Sequence, residues 1–518
     1  MERSRWVEVA ESLKPRLRET ERTPVALVRA VEDRTRFLRW RMEGAAPPGA
    51  LQERLMGRGD AAILDFGGHM TGHVSLSISG DGRGVDAPAR IKLTLGEVPG
   101  EVAEPFDPFH GALSRAWLQD EVINVDVLPS TIRMPRRYAF RYLKLEVIDT
   151  SPNFKVRFDD VRAVALTSAG ADPPPLGASV PESLRRIDAV SIATLRDCMQ
   201  TVFEDGPKRD RRLWIGDLRL QALTNYATFR NYDLVKRCLY LFAGLAREDG
   251  LMSACVFEEP RPLRGHEYIV DYAGLYPAAV LDYARASNDW QTARELWPAA
   301  KRQMEILSDY VDPGGLFAAP PHSWVFVDWS DSLDRTAAMQ GIFVYCLRQA
   351  AELAARAGDD STATQYSRLA GRMAAAARAA FYDAARCVFV SGPKRQVSWA
   401  TQAWMTLAGI ATAAEGAAAF GALSKMPDAV RPGAPYLYHY VVEAMLQCGM
   451  KREALELIES YWGGMVEAGA DTFWEVYDPA NPALSPYGNV LLNSYCHAWS
   501  CTPAYLLRKP APTYTSRR

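Results

Sequence analysis

The feature that most constrains this chain is a succession of about twelve amphipathic helical patterns between residues 180 and 508. In each pattern apolar residues recur three or four positions apart, and many patterns end at Gly, Asp or Pro. Twelve helices in adjacent pairs can close into a ring of six hairpins, with a pocket framed by the loops at one end. An open superhelical array is the competing architecture, but the helices differ in length and no fixed-period repeat is present. The sequence therefore predicts a six-hairpin α/α toroid, also called an α/α barrel.

A different pattern precedes the helices. Apolar and polar residues alternate with period two in segments 61–80, 90–98, 138–148 and 154–166, which are separated by Gly, Asp and Pro. Such short strands predict an antiparallel β-sandwich, and the Pro-rich segment 171–183 indicates a linker. The fold class is therefore a multidomain, mainly α protein in which the β-sandwich precedes the toroid. The predicted regions are a partly helical N-terminal arm (1–59), the β-sandwich domain (60–172), the toroid (178–508) and a C-terminal tail (509–518).

The N-terminal arm is the least clear of these regions. The segment VALVRAVEDRTRFLRWRME (residues 25–43) has a helical pattern, and it is read either as a helical arm or as part of the packing of the β-domain.

Composition excludes several classes of function. The chain has 518 residues, 60 basic against 62 acidic, and a formal net charge of -2, so nothing indicates binding to nucleic acid or to a membrane surface. Its first residues are charged and contain no apolar signal segment. The eight cysteines include no Cys-x-x-Cys pair, and most lie in helical patterns as small buried thiols. We therefore expect a cytoplasmic protein.

The loop from Phe203 to Asp217 is the most unusual segment. It contains three aspartates and four basic residues, which exceeds what a helix cap needs. Arginine can hold a carboxylate in place and lower its pKa. A salt-bridged connection between two helices is the alternative interpretation. Gly206 and Pro207 end one helical pattern, and Asp217 can cap the next.

Three further segments place polar groups among aromatic rings. Glu475 is flanked by aromatic residues, which would desolvate its carboxyl and raise its proton affinity, although it could also pair with a nearby arginine. Asp328 and Trp329 belong to a loop with two acids and three aromatic residues. His497 lies in an apolar helical pattern, where a histidine is most often a satisfied core residue.

Acids in loops from different hairpins, each surrounded by aromatic residues, are the arrangement that glycoside hydrolysis needs. One acid protonates the leaving oxygen, and a carboxylate across the sugar activates water or attacks directly. The histidines are mostly isolated, and neither a His-Glu-x-x-His run nor a Walker-type loop is present. We therefore expect no metal and no cofactor, and a small carbohydrate as the substrate.

The first of these loops resembles the signature of glycoside hydrolase family 78, the α-L-rhamnosidases. The segment Thr472–Glu475 is similar to the later Trp-Glu segment of the family, and further resemblances lie at 328–329, 497–499 and in the β-domain from residue 64 onward. Together they cover roughly residues 60–508. The signature positions that match are Asp205, Pro207, Arg209, Asp210, Arg212, Trp214, Gly216 and Asp217.

The resemblance implies an exo-acting hydrolase that removes a terminal α-L-rhamnosyl unit, or a related 6-deoxy sugar, from a small glycoside. It also implies inversion of configuration, with Glu475 as the general base. Asp205 and Arg209 would hold sugar hydroxyl groups. The remaining residues expected to bind the substrate are Trp214, Asp328, Trp329, Trp474 and His497.

The chain departs from the family pattern in two places. Arg211 occupies the position of the general-acid glutamate, one residue is missing before Trp214, and arginine cannot donate a proton near neutral pH. The candidates for the acid are Asp210, then Asp217, then Glu204. We also expect a compact version of the family, without the β-domain that often follows the toroid.

These departures keep two other functions open. One is another sugar enzyme on the same toroid, an unsaturated-uronyl hydrolase or an epimerase that would use His497 or His439. The other is a non-catalytic carbohydrate-binding relative.

Overall fold

The computed structural model describes residues 2–509, so the predicted C-terminal tail lies outside the described residues except for Lys509. The first third of the chain forms an antiparallel β-domain. Helix α1 (Glu2–Ser12) precedes it, and the domain itself contains the short helices α2 (Ala50–Glu53) and α3 (Pro99–Ala103). Its strands are β1 (Arg18–Arg22), β2 (Ala26–Glu32), β3 (Trp40–Ala46), β4 (Ala61–Gly82), β5 (Ala89–Gly96), β6 (Asp120–Val125), β7 (Ser130–Arg133), β8 (Tyr138–Asp149) and β9 (Phe154–Thr167).

Strand β4 holds the β-domain together. Its residues 61–65 pair with β8 on one side and residues 63–65 pair with β2 on the other, whereas residues 72–82 pair with β9 and, in part, with β7. Alternate residues point to the same face of a strand, and Leu76 and Ile78 of β4 are buried together with Phe158 of β9. The alternating pattern of the sequence therefore forms the core of this domain.

The β-domain begins earlier than the sequence indicated. Residues 18–46 form β1, β2 and β3, so the helical interpretation of residues 25–43 is wrong and the packing interpretation describes them. Pairing with the open edges of β4 and β9 outweighs the local helical periodicity of this segment. Only Glu2–Ser12 is a long helix in the N-terminal arm, and it packs against the toroid.

Twelve further helices follow within the described residues, and they alternate between an outer and an inner layer. The outer helices are α4 (Glu182–Cys198), α6 (Tyr232–Gly244), α8 (Trp290–Ser308), α10 (Asp360–Phe381), α12 (Ala413–Leu423) and α14 (Lys451–Glu467). The inner helices are α5 (Ile215–Ala227), α7 (Val270–Ser287), α9 (Thr336–Ala357), α11 (Trp399–Leu407), α13 (Pro435–Gln447) and α15 (Pro503–Arg508).

Each inner helix packs against the next inner helix, and α15 packs back against α5, which closes the ring. Helix α7 buries 14 of its 18 residues, whereas α10 buries six of its 22. This difference is expected, because an inner helix is enclosed on all sides and an outer helix on one. The predicted α/α toroid preceded by a β-sandwich is therefore confirmed.

Short strands lie in the connections that lead from an outer helix to the next inner helix. Strands β10 (Leu213–Trp214), β11 (Cys255–Phe257) and β12 (Leu263–Arg264) form a small sheet, and β13 (Tyr382–Asp383) pairs with β14 (Val388–Phe389). Among residues 2–509 no helix has both the length and the apolar character that crossing a membrane requires.

The last predicted helix, over residues 489–509, is mostly absent. Only Pro503–Arg508 is α-helical, and Val490–Leu492 and Ala498–Ser500 form single 3-10 turns. Between these turns the backbone is hydrogen-bonded to other loops: Ser494 O accepts from Glu475 N at 2.9 Å, and His497 N donates to Phe473 O at 2.8 Å. These long-range bonds replace the helical ones.

Candidate active site

A pocket lies at the end of the toroid where the inner helices α5 and α7 begin. The pocket is lined by Asp205, Arg209, Asp210, Trp214, Asp217, Ile269, Tyr272, Trp324, Phe326, Trp329, Glu475, Tyr487, His497 and Trp499.

The loop that precedes α5 is folded around the carboxylate of Asp205. Its two oxygens accept the backbone N–H groups of Asp210 at 3.3 Å and Arg212 at 3.1 Å. The N–H of Asp205 in turn donates to Arg212 O at 3.0 Å. The hydrogen bonds of Asp205 fix the backbone of the loop at Asp210 and Arg212. With the backbone held in this way, the side chain of Asp210 lies in the lining of the pocket.

Arg209 joins this loop to the opposite side of the pocket. Its Nη1 lies 3.0 Å from Asp210 Oδ1, its Nη2 donates to Glu475 Oε2, and its Nε donates to Leu492 O at 2.9 Å. The guanidinium also lies over the ring of Tyr487, 4.2 Å from its centroid. One planar cation therefore holds two carboxyl groups that come from different loops.

Glu475 is buried, and all of its carboxylate oxygens have partners. Oε1 accepts from the hydroxyl of Tyr487, and Oε2 accepts from Arg209 and from Ser494 N at 3.1 Å. Burial alone would raise the pKa of Glu475. The charges of Arg209 and His497, together with these hydrogen bonds, instead lower it to about 2. The expected rise in proton affinity is thus wrong in sign, because the charges around the carboxyl outweigh its burial.

A second charged pair lies deeper in the pocket. Helix α5 begins at Ile215 with Trp214 as its N-cap residue, so Asp217 is not the cap that the sequence suggested. Its Oδ1 lies 3.3 Å from Nε2 of His497. Burial raises the pKa of Asp217. Burial by itself would lower the pKa of His497. The negative charges of Asp217, Glu475 and Asp205 outweigh this effect, so the pKa is raised above its ordinary value.

Several buried polar atoms of the pocket have no hydrogen-bond partner. They are the indole Nε1 atoms of Trp214 and Trp329 and the Nδ1 atom of His497. Buried polar groups in proteins are almost always paired, so a cluster of unpaired ones needs an explanation. Indole donors among aromatic rings fit a ligand that combines hydroxyl groups with an apolar face.

The aromatic wall is anchored to α7. The backbone N–H groups of Phe326 and Val327 donate to the carboxylate of Asp271 at 2.8 and 3.0 Å. Phe326 in turn packs edge-on against Trp329, with ring centroids 5.1 Å apart. This anchoring fixes Trp329 at the pocket.

Two of the ten predicted site residues do not line the pocket. Asp328 is fully buried and accepts from Gly433 N at 2.6 Å, so it fixes its loop to the start of α13. Trp474 is 1% exposed and stacks on Phe37 of the β-domain, with centroids 4.0 Å apart. Neighbouring residues of an extended segment point to opposite sides, so Glu475 enters the pocket and Trp474 does not. The other eight line it: Asp205, Arg209, Asp210, Trp214, Asp217, Trp329, Glu475 and His497.

The remaining candidates for acid or proton carrier lie outside the pocket lining. Glu204 forms an ion pair with Arg137 at 2.8 Å. His439 is buried within α13. Arg211, which occupies the position of the family's acid, is also absent from the lining and donates to Pro207 O at 2.9 Å.

Sequence reasoning missed several lining residues. For Tyr487 the available signal is that it is an aromatic residue in a loop. Tyr272 lies inside a helical apolar pattern and gave none. Within the part of the chain that the structure describes, no group of three or more His, Cys, Asp or Glu side chains is arranged to hold a metal ion.

Family models match both domains. Residues 24–165 match the glycosyl hydrolase family 78 alpha-rhamnosidase N-terminal domain. Residues 179–510, more than half of the chain, match the bacterial alpha-L-rhamnosidase 6 hairpin glycosidase domain. No curated protein matches the chain.

Solved structures of similar fold agree with these matches. A rhamnosidase from Klebsiella oxytoca with rhamnose bound is 45% identical, with a TM-score of 0.95, and the match covers 98% of each chain. A family 78 rhamnosidase of Bacillus sp. GL1 is 25% identical, with a TM-score of 0.72 over 86% of this chain and 46% of that one. An alpha-L-rhamnosidase from Streptomyces avermitilis, complexed with L-rhamnose, shares the fold at 18% identity, with a TM-score of 0.68 over 95% of this chain and 44% of that one. The chain therefore spans less than half the length of the last two proteins.

Proposed function

The chain belongs to glycoside hydrolase family 78, and on that premise we propose that it is an exo-acting glycosidase that removes a terminal α-L-rhamnosyl unit, or a related 6-deoxy sugar, from small glycosides or oligosaccharides. The observation that carries the proposal is that Asp210 and Glu475 line one pocket and are joined by Arg209. The similarity to the rhamnosidase from Klebsiella oxytoca, which extends over nearly the whole of both chains, supports the sugar.

The two carboxyl groups would act by inverting acid/base hydrolysis. Asp210 would give its proton to the glycosidic oxygen as the bond from that oxygen to the anomeric carbon breaks. Water would attack the anomeric carbon from the opposite face, and its proton would pass to Glu475. The low pKa of Glu475 supports the role of base, because it keeps this carboxylate ionised.

The neighbourhood of Asp210 supports the role of acid. Asp205 accepts the backbone N–H of Asp210. The carboxyl of Asp210 lines the pocket that Glu475 also lines, on a different loop, as an acid that faces the base has to do. Asp217, the second candidate, is already paired with His497.

The unpaired atoms of the pocket would bind the sugar. Trp214 Nε1 and Trp329 Nε1 are donors for hydroxyl oxygens. The faces of Phe326 and Trp499, which stack at a centroid distance of 6.1 Å, offer an apolar surface for the methyl group of a 6-deoxy sugar. The inner helices close the floor of the pocket, which suits removal of a terminal unit.

A second candidate function rests on His497, which lines the pocket and is close to Asp217. An epimerase on this toroid would use such a histidine to carry a proton, and it would release no sugar.

We also propose a reducing, cytoplasmic location. Its support is that all eight cysteines are free thiols, including Cys198 and Cys496, whose Sγ atoms are 3.7 Å apart.

A panel of 4-nitrophenyl glycosides tests the proposal. We expect release of nitrophenol from the α-L-rhamnoside and not from glycosides of other sugars, with β-L-rhamnose as the first anomer seen by proton NMR. Release of α-L-rhamnose first would contradict inversion. Tight binding of L-rhamnose in calorimetry without turnover of any member of the panel would instead favour a non-catalytic relative.

A further inference from the structure

A buried cluster of charges lies where the β-sandwich meets the toroid, outside the pocket lining. At its centre is Lys208, whose Nζ lies 2.5 Å from Glu101 Oε1 and 3.3 Å from Glu97 Oε2. Both glutamates belong to the β-domain, since Glu97 directly follows β5 and Glu101 lies in α3. The side chains of all three residues are at most 3% exposed.

Each member of the cluster has a fixed set of partners. Glu101 Oε2 accepts the backbone N–H groups of Glu97 at 2.6 Å and Val98 at 3.2 Å. Glu97 Oε2 accepts Tyr495 N at 2.7 Å, and its Oε1 lies 3.1 Å from His69 Nε2. The glutamates therefore cannot turn away from Lys208 without losing several buried hydrogen bonds.

Lys208 reaches the segment that both catalytic loops share. Its Nζ donates to Asn493 O at 2.5 Å and to Leu491 O at 3.3 Å. The next residue, Arg209, donates to Leu492 O in the same segment. Ser494, which follows, binds the side chain of Glu475 through its N–H and the carbonyl of Arg209 through its hydroxyl at 2.7 Å.

Stability alone explains this cluster poorly. Removing charges from water costs several kcal/mol per ion, and the attraction inside the protein often does no more than repay it. Well-packed apolar side chains would stabilise the domain contact at least as well. Directed charges do supply something that apolar packing does not, namely a fixed distance between two loops.

We propose that Lys208 and Glu101 are a positioning pair, through which the β-sandwich sets the separation of the Asp210 and Glu475 carboxyl groups. The inference rests on the proposed function, since those carboxyls are its acid and its base. Neither Lys208 nor Glu101 lines the pocket, so both act through the loops. The β-sandwich is accordingly a working part of the catalytic machinery of the toroid.

The test compares Glu101→Gln with Glu415→Gln. Gln has nearly the volume of Glu, but when its amide oxygen accepts the two backbone N–H groups, an uncharged NH₂ group faces Lys208 in place of the carboxylate oxygen. Glu415 pairs with Arg378 at 2.7 Å between the outer helices α10 and α12, so its substitution is a control for loss of an ion pair. Three quantities are measured for each protein: kcat and KM on 4-nitrophenyl α-L-rhamnoside, the melting temperature, and amide hydrogen exchange of residues 205–212 and 489–497.

For Glu101→Gln we expect kcat to fall on the order of 10-fold to 100-fold, because displacement of a catalytic group by about 1 Å has an effect of this size. KM should change little, and exchange should become faster in both segments. Glu415→Gln should lower the melting temperature without changing kcat or exchange in these segments. If Glu101→Gln does not fold, Lys208→Met/Glu101→Gln removes one charge of each sign, and it should show the same loss of kcat.

The possible failures are distinguishable. Wild-type kcat and wild-type exchange in folded Glu101→Gln would overturn the inference and leave the proposed function standing. If the unsubstituted protein hydrolyses no glycoside, the proposed function fails. Faster exchange of both segments only in Glu101→Gln would then still support the positioning role, and unchanged exchange would overturn that role too.

Discussion

Arg209 donates a hydrogen bond to the carboxylate of Glu475, although 266 residues separate the two in the chain. The contact joins the loop before the first inner helix to the loop before the last one. It keeps Glu475 ionised in a buried site. Because the same guanidinium also binds Asp210, the positions of the proposed acid and base depend on one side chain.

Arg209→Met removes the cation from this arrangement. The pKa of Glu475 should rise, since burial then acts without the main opposing charge. A base with a raised pKa becomes protonated on the acid side, so activity relative to the unsubstituted protein should fall steadily from about pH 7 to about pH 4. The measurement is kcat/KM against pH. Arg378→Met serves as the control, and a constant ratio across the range would show that Arg209 does not hold the Glu475 charge.

Glu475→Gln tests the base directly. Loss of a general base costs about 10²-fold to 10⁴-fold in rate, so release of nitrophenol from the aryl α-L-rhamnoside should nearly disappear. Gln keeps the volume of Glu but leaves the buried charge of Arg209 without its carboxylate, so the melting temperature should fall while the variant remains folded at the assay temperature. Glu467→Gln, which alters an exposed carboxyl on α14, should keep full activity. Retained turnover in folded Glu475→Gln would refute the assigned role.

Asp210→Asn tests the acid through the leaving group. Protonation matters most when the departing oxygen is strongly basic, and little when it leaves as a nitrophenolate. The variant should therefore lose far more activity on an alkyl α-L-rhamnoside than on the nitrophenyl one. The two substrates are assayed with one enzyme preparation, so partial misfolding would lower both rates equally. Equal losses would count against Asp210 as the acid.

Asp217→Asn separates the second acid candidate from the first. His497 faces Asp217, Glu475 and Asp205, which together raise its pKa against the effect of burial. Without the Asp217 carboxylate the imidazolium is less favoured, so NMR should show His497 titrating at lower pH. The titration of His439, which faces Glu443 and not this pocket, should not move. An unchanged His497 titration would contradict the ion pair, and a leaving-group dependence like that of Asp210→Asn would make Asp217 the acid.

The architecture was largely predictable, because it follows from local periodicity. An α-helix that buries one face must repeat apolar residues every three to four positions, and a strand must repeat them every two. The twelve helices and the β-domain were identified on that basis. The failures at residues 25–43 and 489–509 occur where hydrogen bonds to distant segments replace the local pattern. The amino-acid sequence of each segment does not indicate which distant segment it will bond to, such as β4 or the loop of Glu475.

By itself the sequence determined the helical and extended segments and the loops that carry acids, since these depend on neighbouring residues along the chain. Which side chains meet was decided only by closure of the ring, which brings α15 against α5. The sign of the Glu475 pKa shift shows the difference. Its neighbours in sequence, Trp474 and Val476, are aromatic and apolar and suggested a raised value. The group that sets the charge state is Arg209, because electrostatic interaction depends on distance in space and not on distance along the chain.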